Sequence, residues 1–360
     1  MKKYIVEKEA ILHNLSVLTK KAGEVPMWAV LKGDGYGLGL VPMAELCLQA
    51  GVHHFAVTEL SEVETLRQMA PEAQILLLRP TTDEQELSRL LAADGIATVA
   101  SLQDAAALNS LSIQKDVIAA VHVKIDTGMG RYGFLPQELQ DILSVYRNHD
   151  HLAVSGIYTH FPCAFCSGKA TYRQYDAFRK TVLAIAESGI EPGAAHCCNS
   201  NAFLRYSDLK MEGVRVGSAL LGRVVYKKNL RRVGKCEATV EQVRWLPKGH
   251  TTGYGSAWQA KRPTQIAVIP VGWYHGFSAE YGNDIFRFRD CLRQMFTAMK
   301  RMIFKKKLYI TINGKACPVL GHVGMLHTVC DVTKANCQPG DLATLDINPL
   351  QLHGMEIQFR

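Results

Sequence analysis

Short apolar runs alternate with longer stretches of helical periodicity over residues 1–230. The runs are Met27–Leu31, His54–Val57, Gln74–Leu78, Ile96–Ala100, Val117–Ile125, Leu152–Tyr158, Ala194–Cys197 and Val214–Val216. Helices are expected at Pro42–Ala50, Ser61–Met69, Asp83–Ala92, Leu102–Leu111, Pro136–Arg147 and Tyr172–Ser188, with a short turn at Ala202–Tyr206. Ser61 is a candidate N-cap and Gly51 a helix stop. A strand at Tyr4-Ile5-Val6 and a helix at Ala10–Ala22 come first. Alternation this regular implies a parallel sheet, and eight strands imply closure into a (β/α)8 TIM-type barrel. An open doubly wound sheet is the alternative, but no Gly-x-Gly-x-x-Gly follows the first barrel strand.

After about Leu230 the pattern changes. Thr239–Trp245, Ile266–Val271, Lys307–Ile312, Ala316–Leu320, Thr328–Val332 and Asp341–Leu345 are strand-like. Turns separate them, and Asn313-Gly314 is a hairpin signal. The expected domains are therefore a barrel over 1–230 and a smaller, mainly-β C-terminal domain over 231–360, with the first strand free to join the latter. A basic insert at 284–307 interrupts the β pattern. Its apolar residues fit a helix with one greasy face, read first as docked on its own domain. A membrane-surface or partner contact is the lesser alternative.

Composition narrows the function classes. With 48% apolar residues the 360-residue chain can bury a large core, yet its apolar runs are too short to cross a bilayer. The N-terminus has no apolar signal segment, and ten scattered cysteines do not form a disulfide framework, so a cytoplasmic protein is expected. Cys163-x-x-Cys166 lies beside His160 but has no second pair, so no metal site is expected. Net charge is +8, and the stretch from Asp284 to Lys307, with eight basic and two acidic residues, holds +6 of it. The remainder is near neutral, which argues against a nucleic-acid partner.

The chemistry gathers at strand ends, where barrel enzymes place their active sites. Lys32 follows the first barrel strand, in Ala29-Val30-Leu31-Lys32-Gly33-Asp34-Gly35-Tyr36-Gly37. Lys124 and Asp126 close the fifth, ahead of Thr127-Gly128-Met129-Gly130-Arg131. Thr159-His160 follows the sixth and Asn199-Ser200 the seventh; Arg215 lies in the eighth, before Gly217-Ser218. Taken alone, Lys32 reads either as a solvated lysine past a strand end or as a lysine set to form a Schiff base with pyridoxal phosphate (PLP). The other polar residues, taken singly, read as structural hydrogen-bonders. Their convergence on one face favours a site, and Gly217-Ser218 offers backbone N–H groups suited to a phosphate.

Together these stretches resemble the alanine racemase family, fold type III PLP-dependent enzymes. The resemblance rests on the Lys32 and Arg131 motifs, Thr159-His160-Phe161, Asn199-Ser200 and Val214-Arg215-Val216-Gly217-Ser218, then Gly253-Tyr254-Gly255, Pro270-Val271-Gly272-Trp273 and Gly321-His322-Val323-Gly324-Met325. It implies a PLP-dependent racemase interconverting L- and D-alanine by a two-base mechanism and supplying D-alanine for cell-wall peptidoglycan. It also implies a small amino-acid substrate and a homodimer with shared active sites. By that resemblance Lys32 carries the cofactor and is one base, and Tyr254 of the partner subunit is the other. Tyr36, His160, Ser200, Arg215, Gly217 and Ser218 would bind PLP, and Arg131 and Met325 the substrate. In some members the lysine equivalent to Lys124 is carbamylated and orients that arginine. Two departures stand out: Leu326 replaces the usual aspartate, and no C-terminal tyrosine is present. They leave open a racemase of another small amino acid such as serine, or a non-racemising PLP-binding homologue. Tyr254 and Arg215 argue against the last.

Overall fold

The computed structural model describes residues 1–227, 229–279, 288–303 and 308–360; residues 284–287 and 304–307 of the expected insert lie outside them. Its contacts divide the chain into one unit of Lys8–Val233 and another of Met1–Glu7 with Gly234–Arg360.

Strand β1 (Lys2–Val6) belongs to the second unit. Eight strands then build the first: β2 (Met27–Val30), β3 (His54–Val57), β4 (Gln74–Leu77), β5 (Ala97–Val99), β6 (Ala119–Lys124), β7 (Leu152–Tyr158), β8 (Ala194–Cys198) and β9 (Gly213–Val216). They form one parallel sheet in the order β4-β3-β2-β9-β8-β7-β6-β5. The ends close on each other: Leu77 N–H donates to the Ile96 carbonyl (2.9 Å) and Ile96 N–H to that of Ile75 (2.8 Å). The predicted (β/α)8 barrel is therefore the observed fold. All four residues of β2 and of β9 are buried, as strands covered on both faces must be. Register shifts interrupt β6 at Val121/His122 and β8 at His196/Cys198. Such shifts re-aim side chains; here they flank two histidines that bond to each other inside the barrel, His196 Nε2 to His122 Nδ1 at 2.9 Å.

Helix Leu60–Met69 starts one residue before the expected cap, Ser61. Glu59 caps it instead, because the Glu62 carboxylate reaches back to accept from Thr58 N–H and Glu59 N–H, both at 3.1 Å.

The second unit holds β10 (Lys235–Thr239), β11 (Gln242–Leu246), β12 (Thr251–Thr252), β13 (Trp258–Gln259), β14 (Thr264–Ile269), β15 (Tyr309–Ile312), β16 (Lys315–Pro318), β17 (Thr328–Asp331), β18 (Leu342–Leu345) and β19 (Glu356–Phe359). The sheets are β16-β15-β18-β10-β1-β19, β11-β14-β17 and β12-β13. The expected single strand Thr239–Trp245 is split between two sheets. At the break Val240 N–H bonds to Asp341 and Glu241 N–H to Val268, so the chain changes partners there. The Asn313-Gly314 turn has both residues at positive φ (50° and 72°), the type I′ geometry that hairpin signal encodes. Strand β19, unanticipated, pairs in parallel with β1. Helix Phe288–Ile303 departs from its expected docking, since Phe288, Phe296 and Met302 on its apolar face are exposed.

Candidate active site

A cavity of about 570 Å³ opens at the carboxyl ends of the barrel strands. Lys32, Tyr36, Arg131, His160, Ser200, Arg215, Gly217 and Ser218 all line it, as does Lys124. Tyr254 and Met325 belong to the other unit. That unit has its own hollow of about 620 Å³, but His322 is the only titratable group among its lining residues Trp273, Ser278, Ala279, Leu308, Val319, Gly321, His322 and Val323. Convergence of titratable groups selects the barrel cavity as the candidate site.

Lys32 stands directly after β2 and opens a turn of left-handed hand. Gly33, Asp34, Gly35 and Tyr36 have φ of 65°, 53°, 62° and 59°. Glycine adopts this readily, but each L-residue in it costs about 1–2 kcal/mol. Two bonds hold Asp34 there: its N–H donates to Glu62 (2.9 Å) and its carboxylate accepts from Leu40 N–H (2.7 Å). One buried carboxylate, Glu62, thus ties the Lys32 turn to the loop after β3. The turn delivers the Tyr36 ring onto Gly217, where a Cβ would overlap it. Burial raises the Tyr36 phenol to about 12, which keeps it a neutral hydrogen-bond donor. Burial pulls the Lys32 amine below its ordinary value, the Arg131 charge adds to that, and Glu62 partly opposes it.

The loop after β6 folds around Asp126. Its carboxylate accepts from Gly128 N–H (2.8 Å), Met129 N–H (2.7 Å) and Gly130 N–H (2.7 Å). Burial pushes that carboxyl up, but the three amides and Lys124 outweigh it and hold it low. The capped loop carries Arg131 to the cavity. Lys124 itself is buried; burial first, then the Arg215 charge, lowers its amine well below the ordinary range. It lies over the Tyr158 ring at 4.6 Å, and the Arg215 guanidinium lies at 4.9 Å from the same ring centroid.

Arg215, fully enclosed in β9, donates through Nη1 to His196 Nδ1 (2.7 Å) and the His196 carbonyl (2.8 Å), and through Nη2 to the Thr159 carbonyl. A guanidinium can only donate, so His196 Nδ1 accepts and its Nε2–H points to His122 Nδ1. Burial and Arg215 together keep His122, His160 and His196 neutral, with His122 lowered to about 3. The Ser200 hydroxyl accepts from Gly217 N–H (3.0 Å) and Ala219 N–H (3.2 Å), while Ser218 N–H has no partner among the described residues. Asn199 caps the helix Ser200–Arg205 and bonds the Phe161 carbonyl at 2.8 Å, fixing the β8 and β7 loops together.

The sum is a cavity lined by five basic side chains: Arg79 is paired with Glu86, while Lys32, Lys124, Arg131 and Arg215 are in no salt bridge among the described residues. Buried charge without a partner is costly, so the cavity is complementary to anions. Glu62 and the His122–His196 pair were missed by sequence reasoning. The signal for Glu62 was its place three residues after Glu59 at a helix start. His122 sits two residues before Lys124, on the same face of β6, which was a signal for it.

In the other unit, Tyr254 is 76% exposed on a turn between Gly253 (φ 84°) and Gly255 (φ 65°), and Gly253 packs against the backbone of Gly321 and His322. The Met325 carbonyl accepts from Tyr274 N–H at 3.1 Å, and Leu326 beside it is exposed.

Residues 6–224 match the family model for the alanine racemase N-terminal domain, and residues 233–351 that for the alanine racemase C-terminal domain. An alanine racemase of Desulforamulus reducens is 30% identical over 339 residues, covering 91% of this chain and 84% of that one. Alanine racemase 1 of Caldanaerobacter subterraneus is 30% identical over 334 residues, covering 90% and 80%. The alanine racemase structure from a D-cycloserine-producing Streptomyces lavendulae superposes with a TM-score of 0.85 over 100% of this chain and 97% of that one, at 20% identity.

Proposed function

The chain belongs to the alanine racemase family and is a racemase, and from that premise we propose that it interconverts L- and D-alanine with PLP as cofactor. The observation that carries this reading is the barrel cavity's four unpaired cations. PLP brings a phosphate and a phenolic oxygen, and an amino acid brings a carboxylate; those anions match that surplus. The residues fit the group in kind as well. Lys32, its amine lowered, would hold the aldehyde carbon. Tyr36, Ser200, Gly217 and Ser218 would hold the phosphate, and the Arg215 Nε, unengaged among the described residues, would face the pyridine nitrogen. His160, kept neutral, completes the cofactor's surroundings. When bound, PLP supplies an electron sink that acidifies the proton on the substrate Cα.

The chain's own groups do the rest. Lys32 takes or returns the proton on one face of Cα, and Tyr254 of the partner subunit serves the other face. The exposure of the Tyr254 ring on a braced turn supports that reach. The Arg131 guanidinium binds the substrate carboxylate, helped by the Met325 N–H of a second copy in a homodimer with shared sites. Arg215 stays a cation and donor, so it would leave a pyridine nitrogen set against it unprotonated, a weaker sink that would favour returning the proton over further chemistry. D-Alanine for cell-wall peptidoglycan is the product's place under this proposal.

A panel of D- and L-amino acids with added PLP in deuterated water tests it. Alanine is expected to racemise fastest with deuterium entering Cα, and Tyr254→Phe to slow exchange from one enantiomer more than from the other. Racemisation of serine but not alanine would overturn the substrate; no exchange from any amino acid would overturn the reaction.

A further inference from the structure

Helix Phe288–Ile303 takes no part in that chemistry. Its residues 288, 292, 295, 296, 299 and 302 are Phe, Leu, Met, Phe, Met and Met, a spacing that sets them on one face. Arg289, Arg293 and Lys300 follow one edge of that face, and Gln294 and Thr297 lie opposite. An amphipathic helix of a globular unit buries its apolar stripe. Here Phe288 is 77% exposed, Met302 73% and Phe296 54%, and every residue from Arg293 to Lys300 is exposed. Of the side chains described on the helix, Asp290 and Leu292 are half-buried and the rest are exposed.

We propose that this helix lies in the surface of an anionic lipid bilayer. Sixteen residues span about 24 Å at the α-helical rise. No helix among the described residues is long and apolar enough to cross a membrane. Lying flat, the helix places phenylalanine and methionine at the acyl boundary, while the long basic side chains along the edge extend to headgroup phosphates. Charge decides between occupants. The helix sequence carries four basic residues, Arg289, Arg293, Lys300 and Arg301, against a single acid, Asp290, which pairs with Arg293 at 3.5 Å, and the sequence follows with Lys305, Lys306 and Lys307. A second copy of the helix would bring like charges together; an anionic membrane satisfies the apolar face and the basic edge at once.

Co-sedimentation of the full chain with vesicles tests this. At low salt the protein is expected to pellet with mixed phosphatidylcholine–phosphatidylglycerol vesicles and to stay in solution with pure phosphatidylcholine. Changing Arg289, Arg293 and Lys300 together to glutamine is expected to weaken partition about a hundredfold. A triple Phe288→Ser, Phe296→Ser, Met299→Ser variant is expected to lose it, with an unchanged circular dichroism spectrum and thermal midpoint showing that the fold survives. Wild type left in solution with the mixed vesicles would overturn the proposal. So would equal binding to neutral vesicles, or a serine variant that binds as wild type does. A serine variant that instead sediments as a smaller species without lipid would assign the face to a second copy, also overturning it.

Discussion

Two regions of the molecule collect positive charge, and they do so under opposite conditions. In the barrel mouth Lys32, Lys124 with Arg131, and Arg215 come from three distant places in the sequence and line one cavity without salt bridges among the described residues. On helix Phe288–Ile303 the cations stand in solvent: the Arg293 side chain is 75% exposed. Burial changes the first group chemically, lowering the Lys32 and Lys124 amines and the Arg215 guanidinium. Water screens the second group and leaves it free to meet a diffuse partner. The difference teaches that net charge carries little functional information until burial is known. The dense run at 284–307 dominates the charge of the sequence, yet the chemistry lies with scattered residues.

The sharpest test of that division is Lys32→Ala. Loss of the lysine that holds the cofactor and moves a proton is expected to lower kcat/KM by about 10⁴-fold or more. It is also expected to remove the visible absorbance of lysine-bound PLP. A variant retaining a tenth of wild-type activity would break the assignment of chemistry to the buried set.

Much of this is legible in the sequence, for a physical reason. Strands covered on both faces are apolar throughout, so the barrel strands stand out as runs, and the first one or two polar residues after each are presented at the barrel mouth. That is why Lys32, His160 and Ser200 could be placed. What escapes is set by non-local partners. Glycines signal a turn after Lys32, but the left-handed backbone of Asp34 is held by Glu62, 28 residues away. Thr239–Trp245 reads as one strand because a change of sheet partner leaves no mark on local periodicity. The helix at Phe288 has the apolar stripe of a docked helix, and no pattern along the chain could show that the described residues of its own unit leave most of that stripe exposed.

Lys124→Met sharpens the comparison by separating stability from activity. The amine is buried with one long hydrogen bond, 3.5 Å to the Ile125 carbonyl, besides the Tyr158 ring face at 4.6 Å, so an apolar side chain of similar length is expected to stabilise the fold by about 1–3 kcal/mol. Activity is expected to fall roughly 10-fold to 100-fold as the cavity loses the amine over the Tyr158 ring. Arg293→Gln on the exposed helix is the control: its unfolding free energy is expected to shift by less than about 0.5 kcal/mol, with activity unchanged. Denaturant unfolding of the two variants reads both. Destabilisation of Lys124→Met would mean that the amine has a strong buried partner and that the two charge sets are not opposites in cost.

The last expected effect is a change of slope. His122 is lowered to about 3 from an ordinary 6.5, first by burial and then by Arg215 and His54. In the unfolded chain the imidazole binds a proton as pH falls below 6.5, while in the barrel it stays neutral until about 3. The unfolded state therefore holds more protons across that window, and linkage makes stability fall as pH falls. His122→Gln removes the contribution, so the loss of unfolding free energy between pH 6 and pH 4 is expected to be shallower by about 1.4 kcal/mol per pH unit. Carboxylates held low, such as Asp126, lose stability in the same direction and remain in both proteins, so only the difference between the slopes belongs to the histidine. Identical slopes would mean that His122 takes up its proton in the folded barrel, and that the His122–His196 pair below Arg215 in the hydrogen-bond chain is less closed to water than its burial indicates.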